Sequence, residues 1–234
     1  MTVVPQEMTW HLRRFSVFEH FDPRELQSVT RVLHMRQFSP REPIYLSSQP
    51  RDNVYFLLSG HVKVTRNDGQ TGRELILYII RPGELFGLLS GRRASEHAGN
   101  SAIAMERSMV GYVRRPDFER LAQRRSVAAE LNRMSDERLT SVTHRLEEMV
   151  FRDVPSRLAD LLLRLAERFP RERDGVRGID VRLTQQDIAD MIGSTRESAS
   201  IAINDFKRRG LLDVNHHDIW IIDDNALREI AAGP

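Results

Sequence analysis

The chain of 234 residues contains no cysteine. Disulfides, cysteine-ligated iron–sulfur clusters and thiol redox sensing are therefore excluded for it, and the composition suits a reducing compartment. Apolar runs long enough to span a bilayer are missing, and Met1 to Trp10 lacks the apolar core of a secretory signal. No membrane partner and a cytoplasmic location are the expectations. Lysine is scarce: Lys63 and Lys207 are the only two, against an abundance of arginine that codon usage alone could produce. The formal net charge is only +2, so bulk charge does not announce a polyanionic partner. Catalytic patterns are lacking as well. No nucleophile–base pair, metal-ligand cluster or phosphate loop stands out, and Glu84 with His97 does not make a catalytic pair. An enzyme is not expected, nor a metal, nor any cofactor. His34, His61, His97 and His144 stand singly and read as structural or exposed.

What is present falls into successive regions of different periodicity. Residues from Phe15 to Arg31 read as largely helical: Asp22 can cap a helix that opens at Pro23 and carries Leu26 and Val29 on one face. From Val32 to Tyr112, short apolar runs alternate with turn signals. The runs are Pro43–Leu46, Val54–Leu58, Val62–Val64 and Leu75–Ile80; the turns are Ser59-Gly60, Asn67-Asp68-Gly69 and Arg81-Pro82-Gly83. This spacing predicts a small antiparallel barrel or sandwich. Pro116 to Phe151 predicts a helix, with Pro116 and Asp117 suited to its start. Along it Leu131, Met134, Leu139, Val142, Leu146 and Met149 recur at nearly heptad steps. Such a stripe must be covered, either by the chain's own barrel or by a second copy, and the residues leave both open. Phe151–Val154 precedes Pro155 and is the expected hinge. A helix from Pro155 to Phe169 and a polar loop from Pro170 to Gly178 follow.

The stretch Leu183–Phe206 carries the most information. Thr184 is a good N-cap with Asp187 three residues on, and Ile188, Ala189 and Ile192 form one apolar face. Gly193 permits a left-handed helix end, and Ser194 or Thr195 can cap the next helix. That helix buries Ala199, Ala202, Ile203 and Phe206, which leaves Arg196, Glu197 and Ser200 outward near its N-terminus. A helix whose first turns reach base edges in a DNA major groove needs this arrangement. Glu can accept from cytosine, Arg can bond guanine or phosphate, and Ser either. Leu211–Val214 and Ile219–Ile222, joined by Asn215-His216-His217-Asp218, predict a two-stranded wing, with a closing helix over Asp224–Ala231. His216 and His217 read equally as solvated turn residues or as phosphate contacts. Residues 153–234 hold 12 Lys/Arg and 15 Asp/Glu, a net of −3, so any affinity for DNA rests on the local group Arg196, Lys207, Arg208 and Arg209.

From Phe15 to Ile222 the chain resembles the cyclic-AMP receptor protein and fumarate–nitrate regulator family. The resemblance rests on Val54-Tyr55-Phe56-Leu57-Leu58-Ser59-Gly60-His61-Val62-Lys63-Val64, on Gly72-Arg73-Glu74 and on Pro82-Gly83-Glu84-Leu85-Phe86-Gly87. It rests equally on Arg152-Asp153-Val154-Pro155-Ser156-Arg157-Leu158 and on Thr184 through Gly210. It implies an α+β fold: an antiparallel β-roll of cyclic-nucleotide-binding type over 1–115, a long dimerisation helix over 116–152, and a winged helix-turn-helix over 153–234. It implies a homodimer through Leu131, Met134, Leu139, Val142, Leu146 and Met149. It further implies binding to a palindromic promoter site on double-stranded DNA and recruitment or blocking of RNA polymerase, with an activator the expected sense. The DNA-facing residues become Thr184, Gln185, Ser194, Thr195, Arg196, Glu197, Ser198, Ser200, Lys207 and Arg208.

The chain departs from the family where ligands bind. Cyclic-AMP-binding members carry a ribose-holding glutamate where Leu88 stands, and Arg-Ser-Ala where this chain reads Asn100-Ser101-Ala102. Without that arginine a buried cyclic phosphate has no charge partner. Val142-Thr143 stands at the adenine-contacting positions of the long helix. No response to cyclic AMP is expected, and the effector is unknown or absent. A pocket, if used, would involve Phe86, Gly87, Leu88, Leu89, Ser101, Arg138 and Val142. Phe86–Ser90 resembles the nitrogen-regulator branch, which senses 2-oxoglutarate, and Arg138 falls at a ligand arginine of that branch. Its other charged positions read Ala98 and Thr143, so Arg138 is expected to be solvated or in an inter-subunit ion pair. The alternative function is a small-molecule sensor, for example of 2-oxoglutarate, acting through protein contacts rather than DNA. Ile201 stands where the cyclic-AMP receptor and fumarate–nitrate regulator patterns both carry an arginine that reads guanine.

Overall fold

The computed structural model describes residues 10–48, 52–87 and 99–233. The chain divides into two compact units, one of Met1–Arg73 with Leu77–Leu139, the other of Glu74–Ile76 with Thr140–Pro234.

The first unit is an antiparallel β-roll. Helix α1 (Pro23–Val32) opens with a capping box: the Asp22 carboxylate accepts the Glu25 N–H and the Glu25 carboxylate accepts the Asp22 N–H, each at 2.8 Å. Before it, Ser16–Phe18 forms a single 3-10 turn rather than part of that helix. Eight strands follow: β1 (His34–Phe38), β2 (Pro43–Tyr45), β3 (Asn53–Ser59), β4 (Val62–Asn67), β5 (Glu74–Ile80), β6 (Leu85–Phe86), β7 (Asn100–Ala104) and β8 (Ser108–Arg114). They pair in two sheets, β1-β8-β3-β6 and β2-β7-β4-β5.

Strand β3 shows how the sequence builds two cores. Five consecutive residues, Val54 to Leu58, are buried. Side chains alternate across a strand, so such a run needs cover on both faces. Val54, Phe56 and Leu58 join Phe15, Phe18, Leu26 and Phe118, whereas Tyr55 and Leu57 face Tyr45, Val64, Ile80, Phe86 and Val110. Phe56 stacks on Phe18 at 5.5 Å and meets Phe15 edge-on at 5.3 Å. Gly60 turns β3 into β4 at φ +83, where a Cβ would clash with the Ser108 hydroxyl.

The region expected as one helix over Pro116–Phe151 is two: α2 (Arg115–Ala122) and α3 (Arg125–Phe151). Among the core-facing residues Phe118, Leu121 and Ala122 keep helical spacing, but the next is Val127, five residues on, and that step breaks it.

In the second unit α4 (Val154–Arg168) begins where Asp153 accepts the Ser156 N–H at 2.9 Å. It buries Leu158, Leu161, Leu162 and Leu165, worth about 1.5–3 kcal/mol each. Helices α5 (Gln185–Ile192), α6 (Arg196–Arg208) and α7 (Asp224–Ala232) share the unit with a sheet of order β11-β12-β10-β9, where β9 is Pro170–Arg173, β10 Val176–Ile179, β11 Leu212–Asn215 and β12 Asp218–Ile221. The polar loop expected over Pro170–Gly178 is thus a hairpin. Its tip is Asp174-Gly175, both left-handed at φ 53 and 78, the backbone of a two-residue hairpin turn.

Candidate nucleic-acid interface

The helix-turn-helix is held by caps at every end. The Thr184 hydroxyl accepts the Asp187 N–H at 3.0 Å, and the Asp187 carboxylate accepts the Thr184 N–H at 3.0 Å and its hydroxyl at 2.6 Å. Gly193 ends α5 in the left-handed region, φ +63, where a Cβ would lie 2.6 Å from the Met149 methyl. Of the two candidate caps for α6, Thr195 serves: its hydroxyl accepts the Ser198 N–H at 3.2 Å and donates to the Ser198 hydroxyl at 3.1 Å. Arginines reach the carbonyls left open at C-terminal ends. Arg145 donates to Met191 at 2.5 Å and Arg157 to Ile192 at 2.8 Å, both at the end of α5; Arg152 donates to Ala231 at 2.7 Å at the end of α7.

On α6 the faces separate cleanly. Ala199, Ala202, Ile203 and Phe206 are buried, while Arg196, Glu197, Ile201, Asn204 and Arg208 are exposed. Glu197, Ile201, Asn204 and Arg208 repeat at steps of four, three and four, so they form one stripe opposite the core. Lys207 is tethered, its ammonium donating to the Val214 carbonyl of the wing at 3.1 Å. Arg208 and Arg209 share Asp205 at 3.1 and 3.5 Å. Gln185 is exposed, Ser194 and Ser200 half-buried. In the wing β11 and β12 pair as expected, and His216 takes φ 55 at their turn. Both turn histidines have local partners: His216 pairs with Asn215 at 2.7 Å, and His217 lies 3.2 Å from the Leu183 carbonyl.

One polar cluster went unread in the sequence. Glu148 on α3 is buried, and its carboxylate meets Arg164 at 3.2 Å and Arg152 at 3.8 Å. Asp160 also pairs with Arg164, and His144 Nδ1 lies 3.1 Å from it. His144, Glu148 and Asp160 come close enough together for metal ligation, yet guanidinium groups already face both carboxylates. The spacing of four from His144 to Glu148 on α3, continued by Arg152 just past its end, and from Asp160 to Arg164 on α4 is the signal that could have revealed it. Burial lowers the Arg145 pKa, repulsion from Arg164 adds to this, and Glu148 offsets part of it.

Two family descriptions match the chain: a Crp-like helix-turn-helix domain over residues 156–230 and a cyclic nucleotide-binding domain over residues 35–125. The CRP-like cAMP-activated global transcriptional regulator of Mycobacterium tuberculosis is 30% identical over 216 residues, covering 92% of this chain and 96% of the relative. The chain belongs to the CRP/FNR family. It is a transcription regulator of that family with a DNA-binding helix-turn-helix. The global nitrogen regulator of Synechococcus elongatus is 28% identical over 88% of this chain and 93% of its own. Among solved structures, FixK2 from Bradyrhizobium japonicum matches with a TM-score of 0.74 at 25% identity over 87% of this chain and 99% of that one. A CooA variant from Carboxydothermus hydrogenoformans matches at 0.73 and 23% identity, a likeness of fold.

In CRP/FNR terms the remaining expected residues lie as follows. Phe86 stacks on Tyr55 at 5.2 Å, and Tyr45 lies 5.3 Å from Tyr55. Gly87, at φ +81, offers its carbonyl to Arg115 at 3.2 Å. The Ser101 hydroxyl accepts the Ser47 N–H at 3.1 Å. Leu88, Leu89, His97 and Ala98 lie outside the described residues. Arg138 is not the solvated side chain expected: it is half-buried, donates to the Leu85 carbonyl at 2.7 Å and lies 5.1 Å over the Tyr78 ring. Within the chain a main-chain oxygen and an aromatic face surround it. The stripe on the long helix divides. Leu131 and Met134 pack on the first unit's core, whereas Leu139, Val142 and Leu146 are 67%, 53% and 63% exposed. Met149 lies against Gly193.

Proposed function

We propose that the protein is a homodimeric activator that binds a palindromic promoter site and does not respond to cyclic AMP. Its parts would be a β-roll sensor over 1–115, a dimerisation helix over 116–152 and a DNA-binding unit over 153–234. The observation that carries this reading is the outer stripe of α6. It has a capped N-terminus, polar groups of the base-reading kind, and a fully buried opposite face. Arg196 and Glu197 serve as base readers and Ser200 reads base or phosphate. Gln185, Ser194 and Arg208 contact backbone. Thr184, Thr195 and Ser198 act mainly by fixing the helix starts, and Lys207 by tying α6 to the wing. Dimerisation is supported by exposed Leu139, Val142 and Leu146, because an apolar stripe of this kind on a long helix needs cover. RNA polymerase is the partner through which an activator of this family would act.

Insensitivity to cyclic AMP is supported by Asn100-Ser101-Ala102 and by the aromatic cluster of Tyr45, Tyr55 and Phe86 inside the roll. A buried cyclic phosphate would find no arginine at position 100 to pair with.

Selection of full-length protein on random duplex DNA, followed by titration of the winning site, tests the proposal. Glu197→Ala should cost about 1–3 kcal/mol on that site and relax one base pair. Arg208→Ala should weaken all sequences evenly and reduce the salt slope by about one. Cyclic AMP should change neither affinity. Equal binding to all sequences, or an unaltered preference in Glu197→Ala, would refute the docking described.

A further inference from the structure

We propose that Ile201 reads DNA through apolar contact: its side chain packs on the 5-methyl group of a thymine in each half-site, beside the base pair that Glu197 contacts. The inference rests on the DNA-binding reading above and adds the identity of a base that this reading leaves open.

Ile201 is 71% exposed, whereas the other apolar residues of α6, namely Ala199, Ala202, Ile203 and Phe206, are buried. It is not the edge of a larger apolar patch on this helix. Its neighbours on the stripe are Glu197 one turn before and Asn204 one turn after, both polar and exposed. An isoleucine between two polar residues, on the face turned toward a groove, meets whatever the groove offers at that point. The major groove offers donors and acceptors at every pair, and a single kind of apolar group, the thymine methyl. Isoleucine has no donor for guanine O6 or N7 and no acceptor for the adenine or cytosine amino group. Opposite those groups it would displace water without replacing the lost bonds. Opposite thymine it buries a methyl against a branched side chain with few rotamers, so little entropy is lost. Preference at this position therefore follows from burial of the thymine methyl and from uncompensated dehydration of the other bases.

The test uses the full-length protein and the sequence it selects from random duplexes. Each thymine of that site is replaced in turn by deoxyuridine, which removes only the methyl group. One position per half-site should be sensitive, by about four-fold, the equivalent of about 0.8 kcal/mol for one buried carbon. Replacement in both half-sites should cost about ten-fold or more. Ile201→Ala should melt like the wild type, since the residue is exposed, and should lose the deoxyuridine effect at that position alone. Ile201→Arg should move the preferred base there from thymine to guanine, by bidentate bonding to O6 and N7. If no thymine is sensitive in the wild type, or if Ile201→Ala keeps the same sensitivity, the assignment is wrong although specific binding persists. If no sequence is selected at all, the DNA-binding reading itself fails, and this proposal with it.

Discussion

Gly193→Ala should destabilise the second unit by about 1–2 kcal/mol, and the structure says where the cost arises. The residue sits at φ +63, ψ 44, between the end of α5 and Thr195. An alanine held there pays about 1–2 kcal/mol of left-handed strain. Its Cβ would approach the Met149 methyl to 2.6 Å, the flexible end of an unbranched side chain, so relief should cost only about 0.5–1 kcal/mol. Against this, alanine restricts the unfolded chain, which returns about 0.4–1 kcal/mol. Urea unfolding followed by fluorescence isolates the effect. Trp220 is 3% exposed within the second unit, and Trp10, the other tryptophan, can be replaced by phenylalanine. The midpoint should fall with the slope unchanged. In a Met149→Ala background the steric part should vanish, leaving a coupling of about 0.5–1 kcal/mol between the two sites. Gly193→Asn should cost less than alanine, because asparagine tolerates this region. A neutral Gly193→Ala, or the same loss with and without Met149, would refute the account of the turn.

Glu148→Ala should cost about 1–3 kcal/mol in the same assay, because it removes a buried carboxylate that accepts from Arg164, while Arg164 keeps Asp160 and Arg152 keeps the Ala231 carbonyl. Leu146→Asp should convert a dimer into a monomer in analytical ultracentrifugation and abolish site-specific binding while leaving the fold intact, since Leu146 is exposed in the single chain. The Asp153 carboxyl is held below its ordinary pKa by the Ser156 hydroxyl and N–H, partly opposed by burial. Its folded pKa is depressed, so its contribution is present above the unfolded value of about 3.9 and is lost as pH falls through the lower folded value. Asp153→Asn keeps the cap without the charge. The wild type should therefore be more stable by about 0.5 kcal/mol near neutrality, and the gap should close in acid. A gap independent of pH would contradict this assignment.

The β-roll was legible from β2 to β5, whose apolar runs announce both their ends, whereas β1, β6, β7 and β8 were not. Val54–Leu58 and Val62–Val64 are apolar runs with Ser59-Gly60 between them, and Leu75–Ile80 ends at Arg81-Pro82-Gly83. The hairpin β9–β10 was missed for the converse reason. All four residues of β9 are exposed, so Pro-Arg-Glu-Arg carries no hydrophobic alternation, and only Asp174-Gly175 signalled the turn. The break between α2 and α3 was hidden because polar residues continue helix-like through it. The capping arginines could not be read at all. Arg157 and Ile192 are far apart in sequence, and nothing local marks a guanidinium that will meet a main-chain carbonyl. The same holds for Arg138 and Leu85.

These long-range arginines bear on how the reading surface can vary. The position of α6 depends on groups that do not face outward: Thr195 at its start, Arg145 and Arg157 on the carbonyls before it, Gly193 against Met149, and a stripe of Ala199, Ala202, Ile203 and Phe206 beneath. None of these supporting bonds involves Glu197 or Ile201. A substitution on the outer stripe should therefore change which bases are preferred at little cost to folding, since exposed positions away from such features usually shift stability by less than about 0.5 kcal/mol. Substitutions of the arginines should do the reverse, lowering stability and all DNA affinity together without altering preference. Arginine at the position of Ile201 belongs to the first class. That an isoleucine stands there without touching any of the supporting contacts is what this separation allows.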